Sequence, residues 1–167
     1  MKTMTRVMAI ALVALVALPL AACKKEEAAT VEAAPPMSAP TTEDRQAWVD
    51  YLNDVVPRNM AGITNQPYVY FLPGESAPDF QDQYDRLLEK AQMDVGRGII
   101  TGNMLAYASP ASARMADLVV ASFEGVPADS MKGVRVLFIG KPADSDRVKA
   151  AVEPAGVNYV FVDTTKQ

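Results

Sequence analysis

Histidine is absent from this chain of 167 residues, and cysteine occurs once, at Cys23. The missing histidine removes the usual proton shuttle and excludes the Ser-His-Asp and Cys-His nucleophile systems. The two shortages together exclude zinc sites built from cysteine and histidine, so we expect no metal and no cofactor. A single cysteine forms no intramolecular disulfide, and packing must therefore stabilise the fold even in an oxidising compartment.

Positive charge is also scarce in the part of the chain that should fold. From Thr41 to Gln167 there are 12 Lys or Arg against 17 Asp or Glu, a formal charge of about −5. Such a surface lacks the basic patch that phosphate backbones require, so we expect no binding to nucleic acid. Outside one N-terminal run, the apolar residues have the frequency of an ordinary globular protein, which excludes a polytopic membrane protein.

The N-terminal apolar run follows two cations. Lys2 and Arg6 precede the stretch Val7 to Leu18, which is 12 residues long. Such a stretch is too short to span the roughly 30 Å of a bilayer core comfortably. A positive region followed by a short apolar one is typical of a secretory signal peptide.

The run ends in Leu20-Ala21-Ala22-Cys23, which resembles the lipobox of bacterial lipoproteins. The resemblance covers only the first 23 residues. It implies that Cys23 receives a diacylglyceryl group, that cleavage removes residues 1–22, and that the new terminal amine is open to acylation. Two or three acyl chains then anchor the protein firmly in a membrane. The alternatives are an ordinary secretory peptide cleaved near Ala22 and an uncleaved hydrophobic anchor.

The residues after the cysteine bear on the destination of the protein. In lipoproteins of enteric-type bacteria an aspartate at this place favours retention in the inner membrane, whereas here Lys24 and Lys25 follow. In a Gram-negative host the resemblance therefore implies the outer membrane, with the domain facing the periplasm; the inner membrane and the cell surface stay open. Residues 23–40 are rich in Ala, Glu and Pro without apolar periodicity, and we predict a flexible tether there.

The remaining residues, 41–167, alternate short apolar runs with amphipathic segments. The apolar runs predict strands at Tyr68 to Leu72, Met104 to Ala108, Val134 to Ile139 and Tyr159 to Val162. The amphipathic segments predict helices over Thr41 to Val56, Pro78 to Gln92, Pro110 to Phe123 and about Ala143 to Glu153. Capping is predicted at Thr41 with Asp44, at Ser76 with Asp79, and at Ser109 before Pro110. Trp48 is expected to anchor the first helix to the core.

Strands that alternate with helices imply right-handed crossovers and a mainly parallel sheet. We therefore predict a small three-layer α/β/α sandwich of about four mainly parallel strands, with an extra N-terminal helix. A Rossmann-like or flavodoxin-like topology fits this pattern. A thioredoxin-like arrangement fits the size, but its redox chemistry is excluded because the chain has no Cys-x-x-C.

A ligand site in such a fold is expected beyond the carboxyl ends of the strands, where helix N-termini direct free N–H groups outward. The residues predicted at this rim that suit a polar or anionic ligand are Ser76, Ser109, Ser112, Lys141, Asp144 and Asp163. The competing interpretation is structural, because serine and aspartate at these places are typical helix caps. Lys141 does not belong to a P-loop, since Pro142 follows it and the required earlier glycine is missing.

Three functions remain compatible with the sequence. The first is a non-enzymatic, membrane-anchored envelope lipoprotein whose α/β domain docks to another envelope protein or component. The second is a module that binds a small polar ligand or hydrolyses it without a histidine base. It requires Ser76, Ser109, Lys141 and Asp163 within hydrogen-bond reach of one another in one pocket. The third is a periplasmic immunity or inhibitor protein.

Overall fold

A computed structural model describes residues 35–166. The predicted signal peptide, the lipobox with Cys23 and the tether as far as residue 34 lie outside the described residues. The helices are α1 (Arg45–Arg58), α2 (Phe80–Gly96), α3 (Ser112–Ser122) and α4 (Pro142–Val152). The strands are β1 (Tyr68–Phe71), β2 (Met104–Ala108), β3 (Arg135–Gly140) and β4 (Asn158–Asp163), with a short 3₁₀ turn at Glu153–Ala155.

The four strands form one parallel sheet in the order β1-β2-β3-β4. The predicted α/β class with a parallel sheet is therefore confirmed. The strand order, which the sequence left open, differs from the Rossmann and flavodoxin orders because it contains no reversal. Such a reversal creates the crevice in which doubly wound folds bind their ligands. This sheet has no crevice of that kind, and β1 and β4 are its two edges.

One face of the sheet is covered by α2, α3 and α4. Tyr70, Tyr107 and Phe138 are the largest fully buried side chains of this layer, where they pack against Met115 and Val148 of the helices. The rings of Tyr70 and Tyr107 stack with their centroids 4.6 Å apart. The three helices that connect consecutive strands therefore all lie on the same face of the sheet. This is expected for right-handed crossovers when each strand pairs with the next one along the chain.

The other face is covered by α1. Trp48 is 2 % exposed and donates its indole N–H to the carbonyl of Thr42 at 2.8 Å. The face of α1 that carries Trp48 packs against Met104 and Ala106 of β2 and Leu137 of β3. The predicted anchoring role of Trp48 is confirmed, and α1 completes the third layer of the sandwich.

The ordered domain begins earlier than the predicted boundary at Thr41. Ala39 is 8 % exposed and belongs to the core beneath α1. The backbone N–H of Met37 donates to the Asp54 carboxylate at 3.0 Å, and Arg58 donates to the carbonyl of Pro35 at 3.4 Å. Residues 35–40, predicted as the end of the tether, therefore lie against α1. Their apolar anchor is a single small side chain, which gives no periodic signal in the sequence.

Three of the predicted helix starts differ from the observed ones, and those of α1 and α2 come first. α1 is capped by Asp44 itself, whose carboxylate accepts from the N–H of Ala47 at 2.8 Å, and not by Thr41. The helix also continues through Pro57, near its end, to Arg58. α2 begins at Phe80 after Asp79, which forms no side-chain cap, and Ser76, the predicted cap, bonds to Glu43.

The predicted start of α3 at Pro110 also differs from the observed one. α3 begins two residues later at Ser112, and Ser109 accepts from the N–H of Ala111 at 2.9 Å before the helix proper. Ser109 and Pro110 therefore form the turn that leads into α3, and the proline does not occupy its first position.

Candidate functional site

A cleft of 360 Å³ lies at the carboxyl edge of the sheet, where the sequence predicted a ligand site. Two of the predicted residues, Ser109 and Lys141, line it. The other lining residues come from the segment before α1, from α1 itself, from the turn between β2 and α3, and from the turn after β4: Pro40, Thr41, Thr42, Glu43, Trp48, Pro110, Thr164 and Thr165. The segment before α1 therefore forms one wall of this cleft.

Ser76 is held by Glu43, a residue that the sequence did not single out. The Glu43 carboxylate accepts from the backbone N–H of Ser76 at 3.2 Å and also from its hydroxyl. Gly74 permits the approach, since a Cβ there would lie 2.0 Å from the Glu43 side-chain carbon Cδ. These contacts attach the segment before α1 to the loop after β1, and they occupy the Ser76 hydroxyl.

Ser112 and Asp144 form a buried connection between α3 and α4. The Ser112 hydroxyl donates to the Asp144 carboxylate at 2.7 Å and accepts from the backbone N–H of Lys141 at 2.8 Å. Arg147 donates to the other Asp144 oxygen at 2.9 Å and also pairs with Asp117. Asp144 is only 9 % exposed. Its oxygens therefore already have partners within the domain.

Asp163 closes the turn after β4. Its carboxylate accepts from the hydroxyl of Thr165 at 2.7 Å and from the backbone N–H of the same residue at 2.9 Å. These bonds, with the nearby ammonium of Lys166, hold the pKa of Asp163 below its usual range. Asp163 is thus an ionised turn residue whose acceptor atoms face its own loop.

The six predicted rim residues do not converge on one point. Ser112 bonds to Asp144, but no hydrogen bond within residues 35–166 joins Ser76, Ser109, Lys141 and Asp163 to one another. The same part of the chain contains no group of three acidic, histidine or cysteine residues that would hold a metal ion. Of the six predicted residues, the cleft within residues 35–166 thus brings together Ser109 and Lys141.

A second concave surface lies at the β1 edge, between α1 and β1, and we call it the β1 groove. Its volume is 450 Å³, and most of its lining is apolar: Arg45, Val49, Leu52, Asn53, Val56, Pro57, Met60, Pro67, Val69 and Phe71. Val49 is 37 % exposed and Val69 is 45 % exposed. The groove thus leaves apolar surface accessible beside an open edge of the sheet.

Two guanidinium groups lie near β1, one on each face of the sheet. The Arg45 guanidinium lies over the ring of Phe71, 5.7 Å from its centroid. On the opposite face of β1, Arg86 and Phe71 line an adjoining depression, together with Asp79 and Lys90. Neither Arg45 nor Arg86 forms an ion pair within the described part of the chain.

Lys90, the third cation near β1, is already neutralised. Its ammonium pairs with Asp94 at 2.5 Å and lies 5.2 Å from the centroid of the Tyr70 ring. Burial alone would raise the pKa of Asp94, but the hydrogen bonds from Lys90 and from the Tyr70 hydroxyl outweigh it and lower that pKa. Burial chiefly raises the pKa of Tyr70, so this hydroxyl stays protonated and donates to Asp94.

No protein-family model matches the chain, and comparisons with curated proteins and with solved structures found no significant match. The two surfaces described above are therefore the basis on which its function is inferred. Among the helices within residues 35–166, none is both long enough and apolar enough to span a bilayer.

The residues of the β1 groove belong to no sequence motif, although their apolar side chains are visible in the sequence. Val49 lies on α1 between the buried positions Trp48 and Leu52, and Val69 and Phe71 alternate with Tyr70 in the first strand. The role of an apolar residue outside the buried face of a helix can be inferred only once its neighbour in space is known. That neighbour is β1, and its position at the edge depends on the strand order.

Proposed function

We propose that this protein is an envelope lipoprotein with a docking role. In this proposal residues 1–22 are a signal peptide, Cys23 carries the lipid anchor, and the α/β domain binds another component of the envelope. The site is the outer membrane on its periplasmic side, as the lysines after Cys23 suggest. The 11 residues between Cys23 and Pro35 span at most about 40 Å, so Pro35 lies within that distance of the membrane anchor.

The observation that carries the docking role is the exposed apolar lining of the β1 groove. Val49 and Val69 face solvent at an unpaired sheet edge, where burying them against a partner would gain about 25 cal/mol per Å² of apolar surface. The rim side chains, in contrast, mostly bond within the domain, as Ser112 and Asp144 do. Tethering further supports docking, since a membrane anchor raises the effective concentration of the domain near its partner.

The lipid anchor is tested by expressing the full chain in a Gram-negative host. Intact mass and membrane fractionation would compare the wild type with Cys23→Ser and with the matched control Ser38→Ala. Acyl mass in the membrane fraction for the wild type and the control, but not for Cys23→Ser, is the expected result. If all three chains are soluble and unmodified, the anchor is refuted and the domain should be studied as a freely secreted protein.

The sorting signal is tested separately. Lys24→Asp should move the lipidated chain from the outer to the inner membrane in an enteric host, whereas Lys24→Arg should leave it in place. Density-gradient separation of the two membranes distinguishes these results. An unchanged distribution of Lys24→Asp would refute the assignment to the outer membrane without affecting the lipid anchor.

The cleft at the carboxyl edge supports a second candidate, the binding of a small anionic ligand. Lys141 lines the cleft, and its ammonium forms no ion pair within residues 35–166. Thermal unfolding of the wild type would be measured without anion and with phosphate or citrate added in tenfold concentration steps. Stabilisation of the wild type that disappears in Lys141→Gln but persists in the control Lys166→Gln would favour this role. If neither anion stabilises the wild type, the cleft binds neither of them.

A further inference from the structure

The unpaired edge of β1 indicates what kind of partner segment would bind there. Leu72 donates its backbone N–H to Ala108 inside the sheet, at 3.1 Å. Successive residues of a strand direct their backbone groups to opposite edges, so the N–H and C=O groups of Val69 and Phe71 face outward. These two residues present the donors and acceptors with which an added strand pairs.

The two faces beside this edge differ in chemistry. On the α1 face, an added strand would place alternate side chains over the β1 groove, beside Val49 and Val69. At the Phe71 end of the groove stands the guanidinium of Arg45, and on the opposite face stands that of Arg86. Both lack carboxylate partners within the described residues. Guanidinium groups in such positions suit carboxylates, which they bind through paired hydrogen bonds.

We propose that the β1 edge binds an extended segment of a partner protein as a fifth strand, and that this segment alternates apolar and acidic residues. The proposal rests on the docking role above and assigns it a surface and a partner chemistry. The apolar side chains enter the β1 groove on the α1 face, and the carboxylates, which alternate with them and therefore lie on the opposite face, reach Arg86.

Charge favours such a segment over a second copy of this chain. The β1 edge holds Arg45, Arg86 and Lys90 against Asp79 and Asp94, and the last of these is already bound by Lys90 and Tyr70. A second copy would bring the same cations to the same edge.

The test uses the full-length chain in nanodiscs and two fluorescent nine-residue peptides, one alternating valine and glutamate and the other alternating valine and lysine. Anisotropy should show that the acidic peptide binds at least about tenfold more tightly. Hydrogen exchange should slow at the amides of Val69 and Phe71 when this peptide binds. Equal affinity for the two peptides, or binding of neither, overturns the proposal.

Variants locate the bound segment. Val69→Pro removes an outward N–H at an edge position, where proline is tolerated, and should weaken binding more than about tenfold. Val69→Thr keeps that N–H and should bind nearly as well as the wild type. Arg86→Gln should weaken binding about threefold, whereas the distant control Arg97→Gln should not. If Val69→Pro fails to fold, Arg86→Gln decides the result, and wild-type affinity of that variant refutes the proposal.

Sedimentation equilibrium and crosslinking in whole cells separate the remaining outcomes. A wild-type dimer that Val69→Pro converts to a monomer would show that the β1 edge pairs with itself, which overturns the proposal. If Val69→Pro and the wild type crosslink equally to the same envelope protein, docking occurs on another surface and only this inference fails. If neither chain crosslinks to any envelope component, the proposed function itself fails.

Discussion

The bond between Ser112 and Asp144 allows a quantitative test of whether the rim residues serve structure or ligand binding. Removing Asp144 leaves the Ser112 hydroxyl, in a 3 % exposed residue, without the acceptor that now lies 2.7 Å away. A hydrogen bond to a charged group contributes about 1.5 to 3 kcal/mol, and an unsatisfied buried donor costs about 1 to 3 kcal/mol. Arg147 adds less, because its side chain is 39 % exposed and keeps Asp117 as a partner.

We therefore expect Asp144→Ala to lower the free energy of unfolding by about 2 to 4 kcal/mol. Ser112→Ala removes the same bond and also the acceptor for the N–H of Lys141, and it should cost about 1.5 to 3 kcal/mol. The double variant should cost less than the sum of the two, with a coupling energy of about 1 kcal/mol.

Urea denaturation of the full chain, followed by tryptophan fluorescence of Trp48, gives these free energies. Asp146→Ala, an exposed neighbour on the same helix turn, is the control and should change stability by less than about 0.5 kcal/mol. A coupling energy below about 0.3 kcal/mol would refute the reasoning. Stabilisation by Asp144→Ala would indicate instead that this carboxylate is kept for a ligand at a cost to stability.

Three other perturbations test separate parts of the structure by the same denaturation assay. Tyr107→Phe should leave the free energy of unfolding unchanged or raise it by about 1 kcal/mol, because the Tyr107 hydroxyl is buried without a hydrogen-bond partner within residues 35–166. A decrease of more than about 1 kcal/mol would contradict this reasoning. Gly74→Ala should destabilise the domain, since the new Cβ would clash with the Glu43 side chain. Adding Glu43→Ala should restore part of the lost free energy of unfolding, and no recovery would show that the strain lies in the backbone. The lowered pKa of Asp163 means that its contribution to stability is present above the ordinary pKa of about 3.9 and is lost as pH falls through the lower pKa of the folded state. Asp163→Asn should therefore lose less stability than the wild type over that acid range, and parallel pH profiles would contradict the role of Thr165.

The strands were predictable because each is a short apolar run that parallel pairing buries. β2 was predicted with its observed bounds, Met104–Ala108, and all five of its residues are buried. The helix starts were less predictable. Ser76 suited a capping box by its spacing to Asp79, yet it bonds to Glu43, which is 33 residues earlier in the chain. A local pattern contains no information about a competing partner that only the tertiary fold brings near.

The candidate surfaces were predictable to different degrees. The rim followed from the fold class, and Ser109 and Lys141 do line a cleft there. The β1 groove depends on the strand order and on the side of the sheet to which α1 packs. Neither is contained in the spacing of apolar residues along the chain, so Val49 and Val69 had no visible common role before the fold was known.

The unreversed strand order also determines how the chain can fold. Adjacent strands pair Tyr68 with Leu105, Met104 with Arg135, and Arg135 with Asn158, at sequence separations of 37, 31 and 23 residues. Because loop closure costs more entropy for longer separations, the C-terminal pair of strands is favoured to assemble first and β1 last. α1 docks on residues of both β2 and β3, so it must wait for that pair. Because the β1 groove needs both α1 and β1, we expect it to be among the last surfaces to form.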